Sequence, residues 1–270
     1  MLFVFLTLLT LGSLQLNSAT AAYLRLYMQA ESFIWDYAPS GGINNCSNTP
    51  FTGQQSIYTT NSDQTIGSIY KKARFQAYKS LSFTDPIPRP DSELHMGVLS
   101  SPIRAEVGDT LVVVVRNTLP FPINMVPGFG GAESLSSDPT PINPGDTTIY
   151  RWVVPESAGP GVGDLSSNLY LYRSNIDRVK DMYTGLFGPM VIYRSGALIG
   201  GKPAGVDSEQ FSFLWINDET QSHFIDDNVQ TYLPAGFTYN SAFLSGNRKY
   251  SYNVCFPCFH SFEIHDLNSF

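Results

Sequence analysis

Four consecutive valines, Val112–Val115, constrain the fold of this chain more than any other stretch. They lie within the segment Thr110–Arg116, which follows a Gly-Asp turn at residues 108–109. Successive side chains of a strand point to opposite faces of its sheet, so an unbroken apolar run predicts a strand buried on both faces. The fold must therefore place packed layers on both sides of this strand.

Short strand-like segments separated by turn residues surround this run. Segments rich in aromatic and β-branched residues predict further strands. They are Tyr23–Tyr27, Phe33–Tyr37, Tyr70–Tyr78, Ile103–Val107 and Thr147–Val154. Proline and glycine cluster between them, as in Asp85–Pro90, and no apolar period typical of a helix lasts long enough to predict one. Many short strands joined by such turns predict an all-β chain with a Greek-key β-sandwich.

Composition excludes one class of partner. The 270 residues carry a formal charge of −7 with a pI near 5.0, and the 16 lysines and arginines do not gather in one stretch. Binding to nucleic acid needs a basic face that neutralises phosphates. We therefore expect no nucleic-acid partner.

The N-terminus predicts export from the cell. Leu2–Leu16 is an uncharged apolar run, and small residues follow at Ala19 and Ala21, the two positions that a signal peptidase reads. We interpret residues 1–21 as a signal peptide that is cut after Ala21, and the protein as secreted with no membrane span. A membrane anchor is the alternative, because the run lacks a preceding Lys or Arg, although it is short for a bilayer. Asn45 begins the one Asn-x-Ser/Thr sequon and is the expected glycosylation site.

Three cysteines, Cys46, Cys255 and Cys258, are an odd number for an exported chain. At least one stays free, pairs with another chain or belongs to a structure that further sequence completes. Cys255 and Cys258 form a Cys-x-x-Cys motif followed by His260 and His265, a set that could hold zinc or copper. A local disulfide is the more ordinary interpretation of one such motif in an exported chain.

A second region repeats the character of the first. Glu209–Ile216 resembles Leu24–Trp35 about 190 positions later, as expected for a tandem array. Residues 200–206, a Gly- and Pro-rich stretch, are the predicted linker. This divides the chain into the signal peptide, a domain at 22–199 and a partial second domain with a divergent tail at 207–270. About 60 residues are too few for a second sandwich when the first uses roughly 175, unless another chain or further sequence completes it.

Two motifs carry a resemblance to a known family. His95–Thr110, HMGVLSSPIRAEVGDT, and Asp181–Ile192, DMYTGLFGPMVI, resemble the plastocyanin-type domains of the ceruloplasmin, hephaestin and coagulation factor V/VIII group. The resemblance covers about residues 22–240. It implies a cupredoxin fold with one complete domain and the start of a second. It also implies a copper-dependent ferroxidase, which oxidises Fe(II) with dioxygen, as the activity of a longer protein.

The same resemblance implies that this domain lacks the family's copper ligands. The two His-x-His pairs of the family's copper-binding members fall here on Val126 and Gly128 and on Arg173 and Asn175. Copper needs imidazole or thiolate ligands, which none of these four residues supplies. Copper is thus expected for the family, and we expect none to be bound by this chain, whose first domain acts as a scaffold.

Other family features are also replaced. The positions of a family disulfide hold Ser167 and Tyr193, and the loop Ser134–Asn143, where relatives bind calcium, has only Asp138 as an acidic residue. We expect neither a disulfide nor calcium there.

The remaining histidines and acidic residues have ordinary explanations. His95 beside a strand predicts a structural hydrogen bond, and His223 in a polar stretch is expected to be solvated. The run Asp226-Asp227-Asn228 resembles a structural segment of the family.

Two functions stay open on sequence alone. One is a scaffold domain of a secreted multicopper ferroxidase. The other is a non-enzymatic binding or assembly module like a coagulation factor V/VIII A domain. In either case the expected partners are further cupredoxin domains, or another chain, that complete the second domain.

Overall fold

The computed structural model describes residues 21–44, 47–53, 56, 58–63, 65–129, 140–237, 248–252 and 262–266. The strands, numbered in chain order, are β1 Tyr23–Asp36, β2 Ile43–Asn44, β3 Thr49–Pro50, β4 Ile69–Tyr78, β5 Ile103–Glu106, β6 Thr110–Asn117, β7 Thr147–Val153, β8 Ser167–Arg173, β9 Phe187–Tyr193, β10 Leu198–Ile199, β11 Lys202–Pro203, β12 Ser208–Ser212, β13 Leu214–Asp218, β14 Arg248–Tyr252 and β15 Phe262–Asp266. The α-helices are α1 Arg178–Thr184 and α2 Ile225–Tyr232, and 3-10 turns lie at Asp91–Met96, Glu156–Ala158 and Glu219–Gln221.

Two sheets form the sandwich. One has the strand order β4-β1-β6-β7 and the other the order β5-β9-β8. β6 is parallel to β1 and antiparallel to β7, and β9 is parallel to β5 and antiparallel to β8. The largest apolar cluster lies between the two sheets and takes side chains from strands of both. The predicted all-β, cupredoxin-like sandwich is confirmed.

The valine-rich strand β6 lies inside the four-stranded sheet, as the sequence predicts. Leu111, Val113 and Val115 point into the core and are fully buried. Val112 and Val114 point to the opposite face, where they are still only 5% and 3% exposed. The strand register sets Arg25 and Arg151 beside Val112, and Tyr27 and Ile149 beside Val114.

The first strand corrects one prediction. The segments predicted as two strands are joined in β1, which runs for 14 residues without a break. Met28 and Ala30 are buried in alternation with partly exposed neighbours, so the strand period continues through the gap. Pairing supports the length, because the first part of β1 bonds to β6 and the later part to β4.

Two short α-helices correct another prediction, because none was expected. α1 has 7 residues and α2 has 8. Two turns are too short to show an apolar period, and end signals mark α1 instead. The Asp177 side chain accepts from the N–H of Lys180, and Gly185 ends the helix at φ 111°. Within the described residues no helix is long and apolar enough to cross a membrane.

The C-terminal segments reproduce part of the first sheet. β12 pairs in parallel with β15, and β13 pairs antiparallel with β14. The first and later parts of β1 show the same two kinds of pairing, with β6 and β4. The residues expected to be a linker, 200–206, include β11 and the turn that joins it to β10. The division into domains stays a prediction.

Candidate functional site

The four positions where the resemblance implies copper ligands meet at one end of the sandwich. The N–H of Val126 donates to the carbonyl of Arg173 at 2.9 Å, and the N–H of Arg173 donates back at 3.0 Å. This isolated bridge joins the end of β8 to the loop that follows β6. The tertiary structure therefore brings together two pairs that lie far apart in the sequence.

Gly128 leaves no room for a side chain. A Cβ atom built on it would lie 2.1 Å from the carbonyl oxygen of Leu171 and 3.0 Å from the Leu171 amide nitrogen. These are backbone atoms of β8, so a rotamer change cannot relieve the contact. Any larger residue here requires the backbone itself to move.

Asn175 makes structural hydrogen bonds with Asn124. Its N–H donates to the side-chain oxygen of Asn124 at 2.8 Å, and the Asn124 amide donates to the Asn175 side-chain oxygen at 2.7 Å. Asn124 is fully buried. The reciprocal pair satisfies buried polar groups at the place where the resemblance implies an imidazole.

A buried carboxylate lies next to this pair. Asp181 on α1 is fully buried, and it accepts from the Ser174 hydroxyl at 2.6 Å and lies 2.9 Å from Nε2 of His223. The serine contacts the aspartate and not the histidine. The three groups therefore do not form the nucleophile–base pair of a hydrolase, in which the base contacts the hydroxyl.

The position of His223 corrects a prediction. It was expected to be solvated, but its side chain is only 16% exposed. The imidazole stacks on Phe121 with the ring centroids 3.9 Å apart, and the backbone N–H of His223 donates to the Thr184 hydroxyl at 2.9 Å. A polar sequence context did not reveal this burial because the contacts come from distant segments.

His95 has the structural role that was expected. Its Nε2 accepts from the backbone N–H of Phe211 at 2.9 Å, and the two rings are nearly parallel. Burial lowers the pKa of His95, which favours the neutral ring needed to accept that bond. His95 thus fixes β12 against the first sandwich.

The family's disulfide positions face each other. Ser167 and Tyr193 are direct partners in the β8–β9 register. The Tyr193 hydroxyl donates instead to Glu209 on β12, which also binds Nε of Arg104 at 2.8 Å. Where the resemblance implies a disulfide, Tyr193 therefore makes a polar contact to the C-terminal segment.

The acidic run after β13 is also structural. Asn228 on α2 is 1% exposed. Its side-chain oxygen accepts from the N–H of Lys71 at 2.7 Å, and its amide donates to the Lys71 carbonyl at 3.2 Å. Asp227 pairs with the Lys71 ammonium at 2.6 Å. These bonds satisfy backbone groups on β4.

A buried ion pair was missed at the sequence level. Lys72 on β4 and Glu219 are 1% and 0% exposed, with Nζ and Oε1 2.6 Å apart. Lys72 also donates to the Tyr183 carbonyl at 2.7 Å. The Tyr37 hydroxyl and the Asn217 amide donate to the same Glu219 oxygen. One signal was present, because two adjacent lysines in a strand cannot both face solvent on one side of the sheet.

Lys72 and two tyrosines near the ion pair have shifted pKa values. Burial is the main cause that lowers the pKa of Lys72, while Glu219 opposes that effect by favouring the ammonium. Burial raises the pKa of Tyr37 and of Tyr70, and the Glu219 charge adds to both shifts. The cluster bonds β1, β4 and α1 to the C-terminal segment.

Several predicted site residues are not described by the structure. Residues 1–20, Asn45, Cys255, Cys258, His260 and most of the expected calcium loop lie outside the described residues. His265 lies in β15, opposite Phe211 in the strand register. Among the residues that are described, no group of three or more His, Cys, Asp or Glu could hold a metal ion.

The strand pairing and the two-sheet core define a cupredoxin-like β-sandwich, the class to which copper oxidase domains belong. No protein-family model matches the chain. Hephaestin of Mus musculus is 36% identical over 236 residues, which cover 84% of this chain and 20% of that protein. Ferroxidase HEPHL1 of Homo sapiens is 33% identical over 247 residues, covering 85% and 21%. Ceruloplasmin of Ovis aries is 34% identical over 218 residues, covering 76% and 20%.

The chain is therefore a homologue of the hephaestin and ceruloplasmin group and contains a domain of this multicopper ferroxidase family. It spans about one fifth of the length of these relatives. Among solved structures, a multi-copper oxidase from Pseudomonas Thermotolerans is similar over 75% of this chain and 36% of that chain, with a TM-score of 0.41 and 14% identity. That likeness is too low to add to what the strand pairing shows.

Proposed function

We propose that this chain supplies a copper-free scaffold domain to a secreted protein of the hephaestin and ceruloplasmin type. The domain holds neighbouring parts of the protein in place and takes no part in electron transfer. The observation that carries the proposal is the geometry around Gly128, where the backbone of β8 fills the space that a ligand side chain would need.

The residues at the four positions do not fit copper. The side chains of Val126 and Gly128 offer no donor atom, Arg173 is a cation, and the Asn175 amide is bonded to Asn124. Copper in this family would need imidazole or thiolate at such places. No step of a copper reaction is therefore assigned to the sandwich.

Contacts with the C-terminal segment support the scaffold role. Phe211 and Phe213 are 0% and 3% exposed and pack with Phe187 and Val191 on the outer face of the three-stranded sheet. The ion pair of Lys72 with Glu219 adds a polar anchor. A segment held this firmly is suited to set the position of a following domain, which further sequence or another chain would complete.

Metal analysis of the chain secreted from eukaryotic cells tests the proposal. We expect copper well below one ion per chain and no blue absorption band after incubation with copper. A matched variant with Cys255→Ser and Cys258→Ser separates copper held by the Cys-x-x-Cys motif from copper held by the sandwich. Equimolar copper that survives in this variant would overturn the proposal.

The activity of a longer gene product is a separate part of the proposal. Relatives include a protein named ferroxidase, and we propose the same oxidation of Fe(II) by dioxygen for the whole protein. An assay of Fe(II) oxidation by the longest gene product tests this. An inactive product with downstream sequence lacking His-Cys-His and His-x-His motifs would instead support the assembly module.

A further inference from the structure

Asp109 has a buried carboxylate in the turn between β5 and β6. The residue is 4% exposed. Its Oδ2 accepts from the N–H of Glu106 at 2.8 Å, and its Oδ1 accepts from the backbone nitrogen of Ala22 at 2.7 Å. Among the described residues no ion pair to this carboxylate is seen. A buried carboxylate without a cationic partner is costly, so a positive charge beside Oδ1 would be strongly favoured.

Ala22 is held from both sides. Besides the contact of its nitrogen with Asp109, its carbonyl accepts from the N–H of Thr110 at 2.9 Å. These bonds start the parallel pairing of β1 with β6. Ala21 is exposed just before them. The nitrogen that meets Asp109 is the one that the signal-peptide pattern predicts as the new N-terminus.

We infer that the Ala21–Ala22 bond is the processing site of this protein and that the α-ammonium released on Ala22 binds Asp109 as an ion pair. The inference rests on the predicted signal peptide and is independent of the copper question. Hydrolysis adds water across the peptide bond, which leaves a carboxylate on Ala21 and an amine on Ala22 that takes up a proton at neutral pH. Processing thus converts a neutral N–H donor into a charged one at a buried acceptor.

The geometry also selects between neighbouring cut positions. Cleavage after Ala22 would remove both of its hydrogen bonds, and cleavage after Ala19 would leave a neutral amide at Asp109. Cleavage after Ala21 keeps both bonds and adds the charge. The acceptor is a carboxylate in every case, so the ammonium adds a charge–charge attraction to an existing hydrogen bond. After the cost of removing the charge from water, we expect a gain of about tenfold in an equilibrium constant.

The first test is the N-terminus of the chain secreted from eukaryotic cells, determined by mass spectrometry. We expect Ala22 as the first residue. A second form, with Gly-Ser inserted after Ala21, is processed to place two residues before Ala22 and moves the charge away from Asp109. Any other N-terminus of the natural chain would overturn the inference.

The second test is a cycle between N-terminal charge and carboxylate. Asp109→Asn is made in both forms, and urea unfolding is measured at low ionic strength. We expect the substitution to raise the unfolding constant about tenfold more in the form that begins at Ala22. Equal effects in the two forms would refute the ion pair.

A third measurement does not need the Asp109→Asn variant to fold. Because Ala22 is exposed, added salt should partly screen its α-ammonium, and the difference in Tm between the two forms should narrow as salt rises. Selective acetylation of the α-amine should lower the Tm of the first form alone. Unchanged Tm values in both experiments would overturn the inference.

Discussion

Two neighbouring lysines on β4 make ion pairs of the same length in different surroundings. Lys72 lies 2.6 Å from Glu219 with both side chains nearly fully buried. Lys71 lies 2.6 Å from Asp227 with exposures of 34% and 50%. Both pairs link the same strand to the C-terminal segment. Replacing each lysine with methionine therefore isolates the effect of burial.

We expect Lys72→Met to lower the free energy of unfolding by about 3 kcal/mol, at the lower end of the cost of breaking a buried pair. The cost comes from leaving the Glu219 carboxylate buried without its cation and the Tyr183 carbonyl without its donor. The value stays near the lower end because Tyr37 and Asn217 still donate to Glu219. Lys71→Met should cost less than about 1 kcal/mol, as for exposed pairs.

Urea unfolding followed by tryptophan fluorescence measures both variants. The double variant Lys72→Met with Glu219→Met completes the set, because replacing both charges removes the buried charge that each single variant leaves. We expect the double variant to be more stable than the sum of its single variants predicts. Equal losses from Lys71→Met and Lys72→Met, or an additive double variant, would refute the reasoning.

Three further predictions follow from the same structure. Gly128→Ala should lower the free energy of unfolding by about 2 kcal/mol or more, because its Cβ would meet the Leu171 carbonyl at 2.1 Å. Gly161→Ala is the control, because its φ is not positive and its Cβ would meet only the movable end of the Asp164 side chain; equal losses would contradict the steric explanation. Stability should fall as pH rises above about 10, because burial raises the pKa of Tyr37, Tyr70 and Tyr172 and only the unfolded chain then releases their protons. The lowered pKa of Lys72 favours a rise in stability over the same pH range, but this is one group against three tyrosines. We expect the Tm to fall between pH 8 and 11, and a rising Tm would contradict the prediction. Asn228→Ala should lower the free energy of unfolding by about 1 to 3 kcal/mol, because it leaves the backbone groups of Lys71 without these partners. Gln230→Ala, at an exposed position of the same helix, is the control and should change stability little. Hydrogen exchange at the Lys71 amide reports the loss, and unchanged protection would argue against the role of Asn228.

The sequence by itself determined the layered architecture. Alternating and continuous apolar runs reflect local strand geometry, so β4, β6 and β7 could be predicted within a residue or two. The motif Asp181–Ile192 placed the chain in its family, which the relatives confirm. These properties are local, or are stored in short motifs, and can be read without knowing which segments meet.

Only the tertiary structure decided how the polar residues are used. Lys72 and Glu219 are 147 residues apart, and His223 meets Asp181 across 42 residues. No local pattern encodes such distances, so their burial was not predicted. The sequence named Gly128 as a place without a ligand, and the packing of β8 against it explains physically why a side chain does not fit there. Burial of a polar group depends on which distant segment covers it, and that choice is made by the packing of the whole chain.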